Sequence, residues 1–232
     1  VVRGMIEVNP AISFGSKDAG GKEQGRKRAL SRDELIQFFK ALRRGRGISR
    51  ENELTFKIIL ALGVRKMELC AAEWAEFDLK NAVWCLPGIR AKNGDDIDIP
   101  LPQQVIEWIE EIRLFAGDSR WLIPARRART TSHVSRATLN MVMPAVLKEM
   151  PDVEPFSIHD LRRTMRTQMA ALGIDPVIAE RCLNHKIKGV EGIYNRHQYF
   201  DERKAALAQW CDLLVALERG EEYNVTPLRK AK

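Results

Sequence analysis

Residues 183–197 read LNHKIKGVEGIYNRH. His185 stands just past the expected end of a helix, Tyr194 follows it by nine residues, and Lys186, Lys188 and Arg196 surround the pair. The chain has three tyrosines, Tyr194, Tyr199 and Tyr223. On an amphipathic segment a tyrosine normally packs at the rim of a core, its hydroxyl toward water. Whether Tyr194 packs or reacts depends on what the rest of the chain can bring to it.

Upstream, SIHDLRRT (157–164) sets His159 and Arg162 at i and i+3. That spacing puts both on one helix face, where a titrating imidazole and a permanent cation can serve one site. Arg163 faces elsewhere. Further back, LGVRKMEL (62–69) places Arg65 after a glycine break and Glu68 three residues on. An arginine held by a carboxylate is pre-oriented for a phosphate, which it meets with a planar fork of donors. Between these motifs, AVWCLP and DIDIPL flank GIRAKNGDD. The two short runs predict paired strands over Val83–Leu86 and 97–101. Asn93-Gly94 predicts a two-residue turn between them, with Lys92 beside it. Each motif alone is common. A metal-binding reading, with Cys182-x-x-His185 and His159 as ligands, competes for the same histidines.

The order of the motifs discriminates. An arginine with a glutamate three on, a lysine at a hairpin, H-x-x-R, then a second histidine with a tyrosine nine on: over about residues 29–219 the chain resembles the catalytic domain of the tyrosine recombinase (phage integrase) family. The closing run YNRHQYFDERKAALAQWCDLL resembles prophage-type integrases in particular. The resemblance implies a mostly α fold with a small antiparallel β-sheet (α+β) and a site-specific DNA recombinase. It implies Tyr194 as nucleophile, Arg65 and Arg162 on the scissile phosphate, His159 and His185 completing the pocket, Lys92 as general acid and Glu68 as support. It also implies no metal or cofactor, double-stranded DNA attachment sites as partners, and a homotetramer on synapsed DNA, or a monomer for the isolated chain. A type IB topoisomerase-like enzyme and an inactive DNA-binding module are the rivals. Two departures stand out. Leu183-Asn184-His185 replaces the usual L-G-H, and Leu62 stands where Thr or Ser is commoner. Asn tolerates the left-handed backbone better than most residues, so the turn is expected to survive.

The remaining sequence fits this reading. Ser31 predicts an N-cap for a helix to about residue 42. Further helices are expected over 51–62, 67–74, 103–115, 135–149, 159–172, 176–184, 190–195 and 201–219. The last carries an apolar stripe of Ala206, Trp210, Leu213, Leu214 and Leu217, which either packs against its own domain or, as the resemblance implies, docks on a neighbouring subunit. RWLIP (120–124) predicts a short strand. Residues 1–28, glycine-rich and opening on Val1, predict a linker and the remnant of a preceding DNA-binding domain in a fragment or processed product. Residues 220–232 form a tail.

Net charge is +7 and the pI near 9.4, which favours a polyanionic partner. The basic residues are spread in clusters along the chain; Arg126, Arg127, Arg129 and Arg163 are expected to contact DNA. Four scattered cysteines without a C-x-x-C pair suit a reduced, cytoplasmic setting. No apolar run approaches the roughly 18 residues of a membrane span.

Overall fold

The computed structural model describes residues 27–127, 132–185 and 198–221, with Phe14, Gly15, Asp18 and Tyr223. Tyr194 and Arg129, and the expected helix over 190–195, lie outside the described residues.

Helix α1 (Arg32–Arg44) starts where Ser31 and Glu34 form a reciprocal capping box, as the sequence predicts. Helix α2 (Arg50–Leu62) is buried on every side from Glu53 to Leu62. It therefore forms the axis of the domain, packed against α4 (Gln103–Ala116), α6 (Ile158–Ala171) and the last helix. Gly63 ends it with a left-handed φ of 59°. A Cβ there would stand 2.3 Å from the Met165 sulfur, so glycine is required twice over, by conformation and by space. Helix α3 (Lys66–Cys70) follows at once and is shorter than the expected 67–74; a separate 3₁₀ turn covers Trp74–Glu76.

A three-stranded antiparallel sheet, β1 (Phe77–Asp78), β2 (Val83–Leu86) and β3 (Ile97–Pro100), lies between α3 and α4. The two predicted strands pair with Leu86 opposite Ile97. The predicted two-residue Asn93-Gly94 turn does not form, because that register leaves residues 87–96 as the connection. Instead the Pro87 carbonyl accepts from Arg90 and Ala91, and a second turn runs from Ala91 to Gly94. RWLIP makes isolated bridges at Trp121 and Pro124 and no continuous strand.

Helices α5 (Thr138–Lys148), α6, α7 (Pro176–Cys182) and α8 (Phe200–Arg219) complete the domain. The segment before α1 is fastened to α6: the Leu30 N–H donates to Thr164 Oγ1 at 2.9 Å, and Gln168 donates to the Leu30 carbonyl at 2.9 Å. The α8 stripe takes the first of its two expected roles, packing against its own domain, and not the docking role that the resemblance implies. Ala206, Trp210, Leu213, Leu214 and Leu217 are all buried in this chain's own core, and Trp210 donates to the Leu60 carbonyl of α2 at 3.1 Å. No helix among the described residues is long and apolar enough to cross a membrane.

One polar cluster sits inside this packing. Lys57 on α2, 3% exposed, pairs with Glu53 at 3.1 Å and with Glu218 on α8 at 2.6 Å. Burial pushes the Glu218 carboxyl up, but hydrogen bonds from Lys57 and Arg43 outweigh it and hold the group below its ordinary value. Lys57→Met removes one cation from the cluster but leaves Glu53 with Arg50 at 2.6 Å and Glu218 with Arg43 at 2.7 Å. It is therefore expected to destabilise the domain by about 1–3 kcal/mol, the cost of a lost buried polar partner, read as a lower midpoint in chemical denaturation. An unchanged midpoint would mean that the cluster contributes nothing net.

Candidate active site

A cleft of about 570 Å³ opens where α3, the β2–β3 connection, α5 and α6 meet. Arg65, Glu68, Lys92, His159 and Arg162 all line it. These residues are scattered over almost a hundred positions of sequence, and three elements, α3, the β2–β3 connection and α6, deliver them to one place.

Arg65 is the N-cap of α3, directly after the Gly63 break. Glu68 on that helix accepts from the Arg65 backbone N–H at 2.8 Å with one oxygen and from its guanidinium at 2.8 Å with the other. The buried carboxylate thus fixes both ends of the arginine. The same oxygen faces the Lys92 backbone N–H at 3.5 Å, the long end of hydrogen-bond range. Lys92 is exposed, and its ammonium has no partner among the described residues.

Arg162 is 4% exposed on α6. Its guanidinium donates to the Gly63 carbonyl, to the Leu183 carbonyl at 2.8 Å, and faces His185 Nε2 at 3.2 Å. Three of the five N–H groups of a guanidinium are engaged there. Burial, then the nearby Arg65, lowers the group to about 10, so it stays charged at neutral pH. His185 in turn sets Nδ1 2.6 Å from Glu180 Oε2. A neutral imidazole with its proton on Nδ1 satisfies both neighbours, donating to Glu180 and accepting from Arg162. Glu180 is also bound by Arg166 at 2.7 Å.

His159, one turn before Arg162, is exposed at the cleft. Burial, then the Arg163 and Arg162 guanidiniums, holds its imidazole below the ordinary 6.5. At neutral pH it is uncharged and keeps a lone pair for a proton. Arg163 is turned to Asp160, at 2.5 Å.

The His185 turn keeps its shape despite the missing glycine. Asn184 adopts a left-handed φ of 50°, as expected, and the turn closes with His185 N–H donating to the Glu180 carbonyl at 3.1 Å.

The cleft also gathers residues that sequence reading did not single out. Lys66, Arg90, Arg136 and Asn140 line it. Lys66 donates to the Arg136 carbonyl at 2.7 Å and to Asn140 at 2.9 Å, bridging α3 and α5. Arg90 donates to the Glu68 carbonyl at 3.1 Å and pairs with Glu76. The lining thus carries Arg65, Lys66, Arg90, Lys92, Arg136 and Arg162 against the single carboxylate of Glu68. Such a surface suits a phosphate. Arg126 and Arg127 lie instead on a second groove of about 580 Å³, with Arg46, and the start of α5 borders both hollows.

The ligands of the metal-binding reading do not gather. Among the described residues no three His, Cys, Asp or Glu side chains form a metal cluster. Cys182 is buried, its thiol pushed up to about 12, and His185 is engaged by Arg162 and Glu180.

Residues 28–200 match the sequence profile of the phage integrase family, which covers most of the chain. The chain belongs to the phage integrase family. Prophage integrase IntA of Escherichia coli K12 is 27% identical over 219 residues, 94% of this chain and 51% of the relative. The chain thus spans about half the length of the curated integrases it matches. Among solved structures, the Tn1549 transposon integrase in complex with transposon right-end DNA aligns with a TM-score of 0.62 at 18% identity, covering 88% of this chain and 72% of that one. A lambda integrase tetramer bound to a Holliday junction aligns with a TM-score of 0.60 at 18% identity, covering 82% of this chain and 55% of that one. The mostly α integrase fold with its small antiparallel sheet is therefore the fold of this chain.

Proposed function

We propose that this chain is the strand-cleaving and strand-joining part of a site-specific DNA recombinase, working through a 3′-phosphotyrosine at Tyr194. The observation that carries the reading is the convergence of Arg65, Lys92, His159 and Arg162 on one cationic cleft, with His185 on Arg162, in a chain of the phage integrase family.

Each role follows from chemistry. Attack by the Tyr194 oxygen on phosphorus builds negative charge on the non-bridging oxygens. Two fixed guanidiniums, Arg65 and Arg162, stabilise that charge without reorganising. A phenol of pKa near 10 loses its proton as it attacks, and neutral His159 can accept it. The phosphorus–O5′ bond breaks as the Tyr194–phosphorus bond forms, and Lys92 delivers a proton to the leaving 5′-oxygen. The phosphotyrosine ester retains the bond energy, so the reverse attack by a 5′-hydroxyl reseals DNA without a nucleotide cofactor.

The partner is a double-stranded attachment site, and the assembly a homotetramer on two synapsed sites. Its subunits would meet through surfaces other than the α8 stripe, which is already buried. Flanking duplex would cross the start of α5 toward Arg126 and Arg127, whose cations contact phosphates whatever the sequence. Arg163 contributes more weakly, its guanidinium being shared with Asp160.

The test is incubation with a nicked attachment-site duplex that traps the covalent complex, read on a denaturing gel. The adduct is expected to form at the same rate in EDTA as without it, because the guanidiniums and Lys92 supply the charge that other nucleases take from a metal. An adduct lost in EDTA and restored by Mg²⁺ would overturn the mechanism.

A further inference from the structure

The β2–β3 connection has an anchor on each side of Lys92. On one side, Arg90 is bound to Glu76 and to the Glu68 carbonyl. On the other, the Asn93 side-chain amide donates to the Asn184 backbone carbonyl and faces its side-chain oxygen at 3.2 Å. Asn184 is the residue that replaces the family's usual glycine, and it holds the left-handed turn between Leu183 and His185. The Leu183 carbonyl and the His185 ring are both bound to Arg162. One short turn thus touches the general-acid loop through Asn93 and the phosphate-clamping arginine through its two flanking residues. A glycine at 184 would offer the backbone carbonyl alone; this chain adds a second acceptor on the same donor.

We propose that Asn93 and Asn184 form a positioning pair that sets the Lys92 loop against the Arg162–His185 corner of the cleft, so that the Lys92 ammonium is in place when the phosphate is clamped. The pair acts through Lys92 and touches no reacting atom. Elsewhere in the connection from 87 to 96, Ala91 is buried in the core and the Gly88 N–H donates to Asp96 at 2.5 Å, but the backbone contact of Lys92 itself, to Glu68, is long. Losing the Asn93 amide frees the loop beside the lysine while leaving Arg65, His159 and Arg162 where they are. The proposal rests on the recombinase reading above.

The test measures single-turnover cleavage of an ordinary nicked duplex and of the same duplex with a 5′-thio leaving group, which departs without a proton. Asn93→Ala is expected to slow cleavage of ordinary DNA by about 10–100-fold, the scale of misplacing a catalytic group by an ångström, and to cleave the thio-substituted duplex near the wild-type rate. Asn184→Gly keeps the backbone acceptor and is expected to lose less. Added to Lys92→Ala, Asn93→Ala should cost nothing more, since a positioning residue has nothing left to position. Equal slowing on both substrates, additivity with Lys92→Ala, or wild-type rates on both would each overturn the pair's role. Failure of the wild-type protein to form any adduct would instead overturn the recombinase reading, and the proposal with it.

Discussion

Arg162→Lys is expected to reduce strand cleavage by about 10²–10³, the usual cost of one preorganised donor at a developing oxyanion, with the fold preserved. Lysine keeps the charge but not the planar fork. In this site the fork has three simultaneous tasks: it reaches the Gly63 carbonyl, the Leu183 carbonyl and His185 while lining the cleft. A point charge on a flexible stem cannot hold all three and also be fixed toward a phosphate. The loss should appear equally on ordinary and 5′-thio duplexes, because it concerns charge at phosphorus and not the leaving group. Thermal melting would separate a site effect from unfolding. Near wild-type cleavage by a folded Arg162→Lys protein would mean that charge alone suffices and that the anchored geometry is incidental.

Lys92→Ala is expected to be slower by about 10²–10⁴ on ordinary DNA, the range for a general acid, and close to normal on the 5′-thio duplex. The ammonium has no partner among the described residues while lining the cleft, as an acid awaiting its substrate requires. Wild-type rates on both substrates would make Lys92 a solvated loop lysine. Equal slowing on both would make it a phosphate contact.

Much of this was legible in the sequence because its signals are local. Ser31 with Glu34 announces α1, and the i, i+3 spacing of His159 and Arg162 survives as one face of α6. Asn184 takes the left-handed backbone that its side chain tolerates. The misreadings came where distant groups outweigh local preference. Asn93-Gly94 is a strong hairpin signal, yet the strands stop pairing at Leu86 and Ile97. Arg90 is drawn away to Glu76 and Glu68, Asn93 to Asn184, and the loop spreads to satisfy them. Strand β1 is two residues long, too short for alternation to register. Lys66, Arg90, Arg136 and Asn140 reach the cleft only through tertiary packing, so no spacing reveals them. The amphipathic stripe of α8 was legible as apolar, but amphipathicity does not say which surface covers it; α1, α2, α6 and α7 of the same chain do.

The central claim is that Tyr194 is the point of covalent attachment, and mapping the adduct tests it most directly. The complex trapped on a nicked attachment-site duplex would be digested with protease and nuclease, and the nucleotide-bearing peptide sequenced by mass spectrometry. The account predicts a phosphodiester to the DNA 3′ end on Tyr194 and on no other residue, and complete loss of the adduct in Tyr194→Phe with the fold intact. An adduct on Tyr199 or Tyr223, or one that persists in Tyr194→Phe, would contradict it.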